Sequence, residues 1–231
     1  MHEFGLAFVT AFHLIADFDP GLVGIVALSL RVSLTAVLLS ALIGLPLGAA
    51  VAAFHFPGRR AVTLFLNTAM GLPPVVVGLI VYLILSRSGP LGVLGLLFTP
   101  TAMIVAQTVL IVPIVAALTR QIVEDLLMEY GDLLRVMGTG PLTTLFTLLS
   151  EARWSLLTIV LAGFGRASAE VGAVMIVGGN IDRVTRVMTT SIALETSKGD
   201  LPLALGLGVI LMILSLSVNL AAAMVRETRR A

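Results

Sequence analysis

The stretch GFGRASAEVGAVMIVGGN occupies residues 163–180. It closes an apolar run that begins near Trp154, yet it carries Arg166 and Glu170 four residues apart. Arg166 lies 12 residues past Trp154. At the rise of a helix that is about 18 Å in, close to the middle of a bilayer. An unpaired charge at that depth costs roughly 3 kcal/mol on insertion scales. The two charges must therefore face protein or water, and Glu170, one turn on, is the obvious neutralising partner. The arginine-first order is the less favourable one for a helix pair, which points to further partners. Two readings of the pair stay open: a fixed ion pair that holds the bundle or dimer, or a pathway or gate group.

The rest of the chain has the same character. Of its 231 residues, 58% are hydrophobic and 12% charged, about half the charge of a soluble domain. Five stretches are long and apolar enough to span: Ser33 to Phe54 (with a start nearer Leu22 also open), Val62 to Leu85, Pro100 to Leu118, Trp154 to Val177 and Leu201 to Val225. The expected fold is all-α: one polytopic membrane domain over 1–231, with about five transmembrane helices. Thr99 suits an N-cap and Pro100 the first helical position of the third span. Pro73 and Pro74 read as a gate hinge or a simple kink. Gly44 and Gly48 form a small-xxx-small pair, common in membrane helices. Residues 1–21, with Phe4, Phe8, Phe12 and Ile15 at helical spacing, are expected to lie along the outer interface. Leu91 to Phe98 and Ile181 to Asp200 are expected as outer segments.

Loop charge gives the orientation. Arg59, Arg60, Arg120, Arg135, Arg153, Arg226, Arg229 and Arg230 fall on one side, and Arg87, Arg183, Arg186 and Lys198 on the other. The first side is expected to be cytoplasmic, with the N-terminus out and the C-terminus in.

Several chemistries have no support. There is no cysteine, and the net charge of +1 is no nucleic-acid signature. His2, His13 and His55 are scattered, with no metal-ligand spacing. GTGP (138–141) lacks the Lys-Ser or Lys-Thr of a P-loop. No cofactor, metal or catalytic residue is expected on this chain, and it is not read as an enzyme.

The informative loop is 119–153. Leu126, Leu127, Leu133, Leu134, Val136 and Met137 give apolar positions at helical spacing, and Glu124, Asp125, Glu129, Asp132 and Arg135 a wet face. Gly138 and Gly140 then break the helix and Pro141 restarts one. Such a helix either packs on its own bundle or docks by its apolar face in a partner's groove.

DLLRVMG (132–138) with TGPLTTLFTLL after it resembles the "EAA" loop of ABC-importer permeases. Asp132 stands at the acidic position and Gly138 at the glycine. Leu133 and Leu134 replace two small residues, and Ser150 and Glu151 replace a frequent Leu-Pro. GLPPVVVGL (71–79), SGPLGVLGLLFTP (88–100) and FGRASAEVGAVMIVGGN (164–180) resemble oxyanion-importer permeases, the last matching the F-x-R-A-x-x-E-x-G-A pattern of molybdate, sulfate and tungstate permeases. TRVMTTSIALETSKGD (185–200) is most similar to the tungstate branch.

The resemblance implies the type I importer permease fold and a role as the permease subunit of an ATP-driven oxyanion importer in the cell inner membrane. Its implied partners are a second copy, a cytoplasmic ABC ATPase dimer carrying ATP and Mg, and an extracytoplasmic oxyanion-binding protein. Five spans are too few to wall a pathway, which also fits a homodimer. Asp132, Leu133 and Gly138 would couple to the ATPase, with Arg135 and Thr139 as neighbours. Pathway candidates are Gln107, Thr108, Arg166, Ser168 and Glu170, with Asn180 at the outer end. Gln107 fits an interhelical hydrogen bond equally well, and Gly138 fits a plain helix cap. Molybdate or sulfate permeases of the same family are the nearest alternative. A membrane scaffold or channel with no ATPase is the alternative of another class.

Overall fold

The computed structural model describes Val9, Phe12, His13 and residues 16–228, with side chains through Met224. The interfacial helix expected over 1–21 falls mostly outside the described residues. Among the described residues the regular elements are helical: α1 (Pro20–Ala53), α2 (Arg59–Ala69), α3 (Pro74–Leu85), α4 (Pro100–Val136), α5 (Pro141–Glu151), α6 (Arg153–Ser168), α7 (Gly172–Gly178), α8 (Met188–Lys198) and α9 (Leu201–Thr228), with a short 3₁₀ turn at Gly92–Leu94. Helices α1, α4 and α9 are each long and apolar enough to cross a membrane; counting two bent pairs as one span each gives up to five.

The bends correct the picture of straight spans. One helix is expected over Val62 to Leu85, but the chain forms two, α2 ending at Ala69 and α3 beginning at Pro74. The break lies at Met70–Pro73. Proline disfavours helical backbone in the residue before it, so Leu72 and Pro73 end one helix, and Pro74 opens the next where no N–H is needed. The fourth span also breaks, at Ala169–Val171, dividing Trp154 to Val177 between α6 and α7. Conversely, the short amphipathic helix expected after residue 119 is the last part of α4, which runs on without a break to Val136. Nothing between Thr119 and Val136 caps or breaks a helix strongly, so helical propensity carries through. α5 and α6 meet at 67°. Thr99 Oγ1 accepts from Ala102 N (3.4 Å) at the start of α4, the N-cap read from sequence.

The described residues sort into two packed units. One holds those up to Ala36 with Pro73–Gln107 and Gly165–Ser217. Its core joins Leu22, Met188 and Leu207, flanked by Ile25, Val26, Ile192 and Leu203. α3 packs along α7. Within 181–200, Thr185, Thr189, Thr190, Ser191 and Glu195 are buried, whereas Asp182, Arg183, Thr196, Ser197, Lys198 and Asp200 are exposed. Thr185 Oγ1 donates to Gly178 O (2.6 Å), tying this segment to the end of α7.

The other unit holds Val37–Leu72, Thr108–Phe164 and the described residues from Val218. Gly44 and Gly48 face α4: a Cβ on Gly48 would stand 2.2 Å from Ala116 O. The small-xxx-small pair is thus an α1–α4 contact within the chain. α1 has no basic residue in its last turn. Arg59 supplies one from α2, its Nε donating to Val51 O (2.7 Å) and its Nη2 to Ala52 O (3.0 Å), which satisfies carbonyls left free at a helix end. Leu34, Leu38 and Leu42 on α1, and Met212, Leu216 and Leu220 on α9, are exposed at helical spacing, as lipid-facing stripes are.

Because Gly48 meets backbone rather than a movable side chain, Gly48→Ala should cost ~1–3 kcal/mol. Thermal unfolding in detergent should show a lowered midpoint. An unchanged midpoint would contradict this packing.

Candidate functional site

Two places bring the sequence-derived residues together. The first surrounds the break after α6. Glu170 sits there with 4% of its surface exposed. Its carboxylate accepts from Arg166 Nη1 on Oε2 (2.7 Å) and from Ala173 N on Oε1 (3.1 Å). Its carbonyl accepts from Thr189 Oγ1 (2.8 Å). In lipid, backbone freed by a break must be satisfied by protein. Glu170 does this for the first turn of α7, and an anion at a helix start is the favourable sign. The Arg166 side chain is 38% exposed, so the pair is lopsided: a fixed carboxylate and a half-open guanidinium.

Around Glu170 lies a small cavity of ≈ 10 Å³, lined by Ser29, Ser33, Gln107, Ser168, Glu170 and Thr189 among others. That is about one water in size. Gln107 is buried on α4 and donates to Ala167 O (3.0 Å), an interhelical hydrogen bond. Gln107 Oε1 and Ser168 Oγ are buried and take no partner among the described residues. Ser29 Oγ accepts from Met188 N (2.7 Å), tying α1 to the start of α8. Thr108 is not part of this group. It belongs to the other unit, where its carbonyl accepts from Ser40 Oγ (3.4 Å). Asn180 Nδ2 reaches Thr190 O (3.4 Å). Sequence reasoning missed Ser29, Thr189 and the break itself. The one available signal was Glu170, an acid set just before a restarting helix.

The second place is the turn after α4. Gly138 has φ +69°, the left-handed region that glycine tolerates best. Gly138 N donates to Arg135 O (3.0 Å) and Thr139 N to Leu134 O (3.2 Å), the paired bonds of a Schellman helix end. Thr139 Oγ1 also donates to Leu134 O (2.9 Å) and pairs with Thr144 Oγ1 (3.0 Å), binding the turn to α5. Leu134 is buried, whereas Leu133, Val136, Met137, Leu142 and Phe146 are exposed. Asp132 and Arg135 stand 3.5 Å apart and almost fully solvated, so their pair adds little stability. Among the described residues no three His, Cys, Asp or Glu side chains form a metal-binding group.

Gln107→Leu removes an interhelical bond worth about 1 kcal/mol in membrane proteins. The unfolding midpoint should fall by roughly 2–4 °C. No fall would show that this bond does not hold α4 to α6.

Comparison with known proteins fits this arrangement. A probable anion ABC transporter permease protein of Haloferax volcanii is 44% identical over 211 residues, covering 89% of this chain and 91% of that protein. The tungstate uptake system permease protein TupB of Peptoclostridium acidaminophilum is 42% identical over 212 residues, 92% of this chain and 93% of the relative. Its namesake from Campylobacter jejuni is 40% identical over 166 residues, 72% and 70% of the two chains. Residues 44–230 match the family described as "binding-protein-dependent transport system inner membrane component". The chain belongs to that family of inner-membrane transport components.

Proposed function

We propose that this chain is the permease subunit of an ATP-driven importer for tungstate, working as a homodimer with a cytoplasmic ATPase pair and an extracytoplasmic binding protein. The observation that carries the substrate is the likeness, along nearly the whole chain, to a tungstate uptake permease. The arginine distribution supports an N-terminus outside and a C-terminus inside. ATP hydrolysis then belongs to the partner, and this chain supplies the path.

The exposed apolar residues flanking Gly138 support a docking role for the turn. Leu133 and Val136 share one face of α4, with Met137 just past its end, and Leu142 and Phe146 share one face of α5. Apolar side chains exposed in a protein with a water-facing end mark a partner surface. Asp132, Leu133, Arg135, Gly138 and Thr139 form the coupling element in this reading. The Schellman cap gives the element its fixed shape. ATP binding draws two such elements together and opens the pathway outward to the loaded binding protein; hydrolysis resets it. Only differential affinity for two states can drive that cycle, so the permease is itself bistable. Half-exposed Arg166 is the pathway candidate with a free side. Glu170 acts by holding it in place, and Gln107 and Ser168 line the small cavity beside that carboxylate.

Moving a dianion through a low-dielectric slab needs donors or positive potential in place of water. Glu170 cancels most of the Arg166 field, so tight selection falls to the binding protein. Uptake of labelled tungstate should be competed by excess tungstate far better than by molybdate or sulfate. Equal competition by sulfate would contradict the substrate assignment. Gly138→Pro forces φ to about −65° and removes the N–H that caps α4. The dimer should still assemble, with substrate-stimulated ATP hydrolysis lost. Normal stimulation in that variant would contradict the coupling role.

A further inference from the structure

A cleft in the second unit, between the start of α2 and the middle of α4, has no role in the account so far. Its volume is ≈ 340 Å³, the space of about ten waters. Arg60, Thr63, Leu64 and Asn67 line it from one face of α2, with Arg59, and Arg120 and Glu124 line it from α4. Three guanidiniums against one carboxylate leave two positive charges in excess. Glu124 cannot absorb that excess. Its Oε1 takes Arg59 Nη2 (2.8 Å) and its Oε2 takes Arg120 Nη1, so both oxygens are used.

Two further features favour an anion in this cleft. Arg120 Nε is buried and has no hydrogen-bond partner among the described residues, although the Nε edge of a guanidinium is a strong donor. α2 also begins against its own dipole. Its first turn holds Arg59 and Arg60 and no acidic residue, and Gly58 offers no side-chain cap. Cations at the positive end of a helix repel it, and a bound anion would reverse the sign. Arg60 is exposed and enters no ion pair among the described residues.

We propose that this cleft binds a tetrahedral oxyanion, held by Arg60, Arg120, Thr63 and Asn67. Arg59 is spent on the carbonyls that end α1 and on Glu124, and serves as the frame. The chemistry is that of a phosphate group, carried on an anionic lipid headgroup or free on the arginine-rich side of the membrane. Exposed Leu64 offers an acyl chain a neighbour; a free ion needs only the polar wall.

The test uses the purified protein in neutral detergent, with its ATPase where the two co-purify and alone where they do not. The site can thus fail without the importer reading failing, and the reverse. Inorganic phosphate is titrated calorimetrically at constant ionic strength, and retention of phosphatidylglycerol is followed by native mass spectrometry. Saturable phosphate binding without lipid retention identifies a free-ion site. Retained phosphatidylglycerol that phosphate does not displace identifies a headgroup site. In either case Arg60→Gln should weaken binding roughly tenfold, the loss of one charge-assisted hydrogen bond, and this separates the cleft from any anion held elsewhere. Asn67→Ala, also at an exposed position, should weaken it less. Binding of neither probe, or binding that both variants leave unchanged, overturns the proposal.

Discussion

A helix interrupted inside a bilayer strands backbone donors and acceptors where no water can reach them. That constraint governs the unit around Glu170. α6 stops at Ser168, α7 begins at Gly172, and one carboxylate sits in the gap. It takes the Ala173 amide in the first turn of α7 and the Arg166 guanidinium, while its own carbonyl takes the Thr189 hydroxyl. The start of α8 is in turn fixed to α1 through Ser29. The polar residues that look out of place in an apolar sequence form a connected set, and the broken helix is what they support.

The other unit obeys the same constraint with arginine. α1 ends without a basic residue of its own, and Arg59 reaches back from the next helix to cover its last carbonyls. The turn after α4 closes its orphan carbonyls with backbone amides, using the left-handed glycine. That leaves its apolar side chains outward. A cap fixes shape without spending side chains, so the side chains remain available to a partner.

Much of this was legible in the sequence. Length and hydropathy marked the apolar helices, Thr99-Pro100 marked the start of α4, and Gly138 marked its end. Four of the five pathway candidates, Gln107, Arg166, Ser168 and Glu170, do come together. Thr108 does not, because adjacent residues on a helix point about 100° apart. The breaks were harder to see. Pro73 and Pro74 read as a gate hinge or a simple kink, whereas the helix stops at Ala69 and restarts at Pro74. Ala169 and Val171 carry no breaking signal at all; the gap exists because Glu170 and Thr189 can fill it. Thr189 lies 19 residues from Glu170, and spacing alone gives no sign of such a pairing. The extent of α4 was misjudged because the change from apolar to mixed composition at Thr119 marks a change of surroundings, while the helix itself continues.

The central claim is that the Glu170 carboxylate holds the broken span by accepting from the backbone as well as from Arg166. Glu170→Gln and Glu170→Leu separate the two contributions. Both remove the charge, but the glutamine amide oxygen can still accept from Ala173 N. Thermal unfolding of the purified variants in detergent reads the difference directly. Leucine should cost about 1–3 kcal/mol more than glutamine, the penalty of stranding a buried donor. Equal midpoints for the two variants would mean that only the ion pair matters, and would contradict the account.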